Sequence, residues 1–166
     1  TSPCANASAT VTVSENSTPN AGPDATIALC NDGSTIDLST LLTGADPGGS
    51  WTDPDGSAQT ARLDRATAST GAYICTLTAT APCTGDQATV TVTVNVPPAA
   101  GNNASLTVCD ESVATDLFAS LGSSAGAGGT WTGPGGLPHS SSYNPIVDGP
   151  GAYTYTIAGS APCSDA

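Results

Sequence analysis

The sequence predicts an all-β chain of tandem antiparallel β-sandwiches. Three observations carry that expectation: short segments rich in β-branched residues recur between Gly, Pro, Asn and Asp, no stretch holds a helical period for three turns, and the chain aligns on itself after a shift of about 80 residues.

The self-alignment places "PGGSWTDPDG" (47–56) on "AGGTWTGPGG" (127–136), with Trp51 on Trp131. The register continues, with "TGAYICTLTATAPC" (70–83) on "PGAYTYTIAGSAPC" (150–163). "PNAGPDATIALC" (19–30) falls on "PPAAGNNASLTVC" (97–109) after one residue of slippage. A third, partial match sets "SPCANASATVTVSENSTP" (2–19) against "APCTGDQATVTVTVNVPP" (81–98). The expected organisation is therefore a closing strand of a preceding repeat in residues 1–18, a first repeat in 19–97, and a second in 98–166 that lacks its last strand.

Within the first copy the expected strands are "DATIALC", "STIDL", "GGSWT", "GAYICTLTAT" and "ATVTVTVNV". "LSTLLTG" and its counterpart "ATDLFASLGS" (114–123) read as one- or two-turn connectors. About seven strands in 80 residues suggest sandwiches of immunoglobulin-like type. The strongest local sign is "TGAYIC", a tyrosine two residues before a cysteine, whose hydroxyl is expected to bond the preceding turn; Tyr73 and Tyr153 hold equivalent places. Trp51 and Trp131 are then core residues. In a chain with 4% aromatics this outweighs a role as sugar-stacking platforms.

Charge narrows the function. Fourteen acids stand against Arg62 and Arg65, with no lysine, for a net charge of -12, so nucleic acid and anionic membranes are repelled. No apolar run is long enough to span a bilayer. With neither an initiator Met nor a signal-peptide core, the chain reads as a mature fragment or an internal piece.

Six cysteines without the close Cys and His pairs of a zinc site point to disulfides and an extracellular location. Cys30 matches Cys109 and Cys83 matches Cys163, so the economical assignment is one bridge per copy: Cys30 with Cys83, and Cys109 with Cys163. The rival Cys30–Cys75 bridge has no counterpart, because Tyr155 stands where Cys75 does. Cys75 is therefore expected to be a buried thiol. Cys4 is expected to find its partner in a preceding copy.

Catalytic ingredients are sparse, and no enzyme is expected. His139, the one histidine, lies in the polar stretch "GLPHSSSYNP" and reads as a surface residue. The acid pairs Asp53 with Asp55 and Asp110 with Glu111 do not recur between copies. "DPDG" is a weak calcium candidate, since it lacks a full ligand series and turn geometry alone explains its Asp and Gly. Otherwise no metal or cofactor is expected. Asn6, Asn16 and Asn103 head candidate N-glycosylation triplets, and the Ser and Thr content, about a quarter of the chain, suits O-linked glycans as well. Thr89, Thr91 and Thr93 share one strand face, a half-buried strand in the plain reading and an ice- or glycan-binding face in the sharper one.

Taken together, "PNAG", "TIALC", "GGSWT", "GAYICTLTATAPC" and "ATVTVTV" resemble the tandem immunoglobulin-like repeats of very large secreted surface proteins and adhesins of gliding and other outer-membrane bacteria. The resemblance implies a spacer or fibre role with adhesion at a distant tip and anchoring at the cell surface. Separately, the second copy lacks its "ATVTV" while residues 9–14 precede the first, so a head-to-tail filament is expected in which residues 9–14 of one unit close residues 98–166 of the unit before it, with one long covalent repeat chain favoured over strand-donating subunits. The alternative is a glycan- or ice-binding module on the same framework.

Overall fold

A computed structural model describes residue 4, residues 6–111 and residues 113–166; parts of the expected 1–18 strand and of the second copy lie outside it. The protein is all-β. Its described strands are β1 (Ala25–Cys30), β2 (Thr35–Asp37), β3 (Ser50–Thr52), β4 (Ala58–Gln59), β5 (Arg62–Asp64), β6 (Gly71–Leu77) and β7 (Asp86–Asn95) in the first copy. In the second they are β8 (Thr115–Asp116), β9 (Thr130–Thr132), β10 (Pro138–His139), β11 (Ser142–Tyr143) and β12 (Thr154–Thr156). The expected connectors are single 3-10 turns, Leu38–Leu41 and Phe118–Leu121. Asp37 opens the first by accepting a hydrogen bond from the Ser39 amide.

In the first copy the strands order as β1-β7-β6-β3-β4, and the β2-β5 pair stands apart. Alternation explains the burial. β7 hides Ala88, Val90 and Val92 and turns Thr91 and Thr93 outward, and β6 hides Tyr73, Cys75 and Leu77. Leu63 of β5 and Leu38 join the same apolar cluster as Trp51, Tyr73 and Val90, so the small sheet packs on the large one.

One pairing departs from the antiparallel expectation: β1 runs parallel to β7, with Ala25 opposite Val90 and Cys30 opposite Asn95. A parallel pair needs a long crossover, and here the whole body of the copy supplies it. Side chains tie the start of this pair, since Asp86 accepts from the Ala21 amide and Asp24 from the Thr89 amide.

The second copy repeats part of this plan. β9 pairs with β10 and β12 as β3 pairs with β4 and β6, and β8 pairs with β11 as β2 pairs with β5. Its core is smaller and aromatic, with Trp131, Tyr155 and Leu117 surrounded by Phe118, Tyr143 and Tyr153. Residues 104–109, which match β1, are irregular, and Leu106 and Val108 are not buried. Residues 9–14, expected as a strand, are also irregular and exposed. Among the described residues neither segment joins a sheet, and an extended segment outside a sheet lacks the cross-strand ladder that makes a strand.

Candidate functional site

Cys30, Cys163 and Asn95 meet where the first copy joins the second. Cys30, at the end of β1, forms a disulfide with Cys163, their Cα atoms 5.0 Å apart and 133 residues apart in sequence. Beside it the Asn95 side chain donates to the Ala161 carbonyl at 2.7 Å, and the Cys163 sulfur lies 3.5 Å from the Asn95 carbonyl. The end of β7 and the end of β1 are thus both fastened to the "APC" of the next copy.

The assignments Cys30–Cys83 and Cys109–Cys163 are replaced by this bridge. The geometry gives the reason. Leu77 pairs with Asp86, so Cys83 sits in the β6–β7 connection at one end of β7, whereas Cys30 pairs with Asn95 at the other end. Nine residues of strand separate those ends by roughly 30 Å, far beyond the Cα separation of about 6 Å that a disulfide tolerates. Cys163, taken by Cys30, has no bond left for Cys109.

Cys83 keeps company of the same kind as Cys163. Its thiol lies 3.1 Å from the Asn16 carbonyl, and the Asn16 side chain donates to the Ala81 carbonyl at 3.0 Å. Asn16 and Asn95 therefore do one job at two places. This recurring asparagine clasp escaped the sequence reading, although Asn16 and Asn95 fall together when "SENSTP" is laid on "TVNVPP". Of the candidate glycosylation residues, Asn6 and Asn103 are exposed and Asn16 has its amide nitrogen occupied by this bond. A sugar on that nitrogen would have to compete with the clasp.

Cys75 is the buried thiol expected, and burial pushes its pKa up. Its sulfur packs so closely on Gly49 that a Cβ there would collide with it. In the second copy the Tyr155 ring covers Gly129 in the same manner, and its hydroxyl accepts from the Gly129 amide and donates to the Gly126 carbonyl, each at 2.7 Å. The tyrosines two residues earlier bond the preceding turn as expected. The Tyr73 hydroxyl meets both the amide and the carbonyl of Ser69 at 3.1 Å, and Tyr153 donates to the Gly149 carbonyl at 2.7 Å.

His139 is more engaged than a free surface residue. Its Nε2 lies 3.2 Å from an Asp148 oxygen, its ring meets Tyr153 edge-on with centroids 4.8 Å apart, and Nδ1 approaches the Ser140 carbonyl at 2.7 Å. The hydrogen bond to Asp148 raises the histidine pKa, and the Asn144 amide together with His139 lowers that of Asp148. The pair ties β10 to the turn before β12.

In "DPDG" the Asp53 carboxylate accepts from the amides of Asp55 and Ser57, which is turn chemistry. Among the described residues no three His, Cys, Asp or Glu side chains converge as a metal cluster. The threonine row of β7 does not extend across the sheet: Thr26 flanks Thr91 on one side, but Ala72 flanks it on the other and Ala28 lies beside Thr93.

The remaining feature is a groove of about 710 Å³ in the second copy. Leu106, Val108, Leu117, Trp131, Tyr153 and Tyr155 are among the residues that line it. It runs between the segments that match β1 and β6, the place that β7 fills in the first copy. Ile157 and Ala166 exchange backbone hydrogen bonds of 2.8 and 3.0 Å, the counterpart of the Leu77–Asp86 rung.

No family model matches this chain, and no curated protein matches it.

Proposed function

We propose that this chain is a structural segment of an extracellular filament or adhesin stalk, built of immunoglobulin-like sandwiches in tandem and similar to the repeats of large secreted bacterial surface proteins. One observation carries the reading: the Cys30–Cys163 bridge joins the end of β1 in the first copy to the "APC" of the second. A pull along the chain enters at Cys30 and leaves at Cys163 through a covalent bond, so the strands between them are shielded from it. Those 133 residues would otherwise release roughly 450 Å of extended chain. A device that spares a β-fold from tension suits a stalk and has no evident use in a catalyst. The bridge also supports an oxidising, extracellular setting, and a surface with 14 acids and two arginines favours repulsion between neighbouring fibres over collapse.

Single-molecule stretching from the two termini tests this. The oxidised chain is expected to lengthen only by its short unbridged ends, and the reduced chain by the further 450 Å or so. Equal lengthening of both forms would reject the tension-bearing role.

A further inference from the structure

We propose that the second copy carries a binding site for a small organic cation, a quaternary ammonium group, among β8, β9 and β10. The site is a hollow of about 590 Å³ whose lining includes Asp116, Phe118, Trp131, His139, Ser140 and Tyr155. Every lining residue falls between Asp116 and Tyr155, inside the second copy, and the site does not rest on the stalk reading.

Aromatic rings supply the attraction. Tyr155 meets Phe118 edge-on, with centroids 5.4 Å apart and planes at 79°, and meets Trp131 at 5.2 Å with planes at 40°. Planes so inclined turn their faces in different directions, and each face carries the negative part of the ring quadrupole, which draws a cation within about 6 Å. Asp116 adds a full negative charge, and residues 98–166 hold neither lysine nor arginine to neutralise it. The first copy is built differently at the equivalent places. Ser39 stands for Phe118, each donating its amide to the aspartate two residues earlier, and Gln59 and Cys75 flank Trp51 where His139 and Tyr155 flank Trp131. There the aspartate, Asp37, has Arg62 as its ladder partner, whereas Asp116 has Ser142.

The hydrogen bonds already made select the class of cation. The Tyr155 hydroxyl accepts from the Gly129 amide and donates to the Gly126 carbonyl. Both His139 nitrogens are engaged, with Asp148 and with the Ser140 carbonyl, and the Ser140 hydroxyl closes on the amide and the carbonyl of Ser142. One Asp116 oxygen accepts from the Phe118 amide. A sugar or a primary ammonium would ask these groups for several new bonds, whereas a quaternary ammonium donates none and needs only ring faces and a nearby carboxylate.

Choline is the probe. Its methyl protons, followed by NMR in solutions of the oxidised full chain at constant ionic strength, are expected to shift upfield saturably, and the Thr130–Thr132 amides to shift with them. The uncharged tert-butyl analogue, in which carbon replaces the nitrogen, is expected to bind at least tenfold more weakly, which separates recognition of charge from filling of an apolar hollow. Asp116→Asn, which keeps an oxygen for the Phe118 amide, and Phe118→Ser, which installs the residue of the first copy, are each expected to weaken choline binding fivefold or more, with amide spectra checking the fold. Three results overturn the proposal: no saturable choline binding at tens of millimolar, equal binding of the uncharged analogue, or binding unchanged in both variants. The comparison of choline with its analogue uses the unaltered chain, so it decides even where a variant fails to fold. Neither outcome touches the stretching experiment, which reads the bridge between Cys30 and Cys163.

Discussion

The side chain of Asn95 donates a hydrogen bond of 2.7 Å to the carbonyl of Ala161, clamping the last residue of β7 to the copy that follows. Asn16 does the same to Ala81 at 3.0 Å. Both bonds are exposed, so each contributes at the modest end of the range for hydrogen bonds, about 0.5–1 kcal/mol. The Asn95→Ala variant is expected to leave both cores folded while loosening the joint, read as faster reduction of Cys30–Cys163 by a fixed concentration of dithiothreitol. An unchanged reduction rate would remove Asn95 from the clasp.

Peptide mapping without reduction should recover Cys30 joined to Cys163 and Cys75 as a thiol. Trypsin is poorly suited to this, because Arg62 lies in the β2–β5 ladder with its guanidinium on Thr35 at 2.8 Å, and Arg65 pairs with Asp32 at 3.4 Å. Cleavage at both arginines is expected to be slow in the native chain and fast after denaturation. Rapid native cleavage, or a peptide joining Cys30 to Cys83, contradicts the fold described above.

Alkylation should separate the thiols by burial. Cys4 is exposed and Cys75 is buried with its pKa pushed up, so iodoacetamide at pH 8 is expected to modify Cys4 at least a hundredfold faster. Gly49→Ala should abolish the packing under Cys75 and cost about 1–3 kcal/mol, the usual penalty for overfilling a core.

The Tyr73→Phe change deletes the hydroxyl that serves both polar groups of Ser69. A loss of about 1–2 kcal/mol in the first copy is expected, visible as a lower urea midpoint. Tyr153→Phe, which frees one exposed carbonyl, should cost less.

The His139–Asp148 pair imposes a pH window on the second copy. The hydrogen bond to Asp148 raises the histidine pKa above its ordinary 6.5 on folding, so its stabilisation is complete below about that pH and is lost as pH rises through the folded value. The aspartate is lowered below 3.8, so its share is present above that pH and lost as pH falls through the folded value. Stability of the second copy should therefore be greatest between about 4 and 6.5. Asp148→Asn should bring the His139 imidazole titration, followed by NMR, back toward 6.5 and flatten the alkaline side. A His139 titration unmoved by that change would show that the pair does not form.

The local structure was legible in the sequence because it depends on short-range chemistry. Alternation in "ATVTV" determined which face of β7 is buried, "TGAY" and "PGAY" placed the tyrosine hydroxyls over their turns, and Tyr155 standing for Cys75 marked that cysteine as a thiol. Repetition also identified which cysteines are equivalent. It could not say which copy holds the partner, since pairing Cys30 with Cys83 and pairing it with Cys163 both respect a period of about 80 residues. Only the tertiary structure decided that: β1 runs parallel to β7, which carries Cys30 away from Cys83 to the end where the next copy begins. Strand direction is a long-range property, set by how the whole copy crosses over, and no local pattern around Cys30 records it.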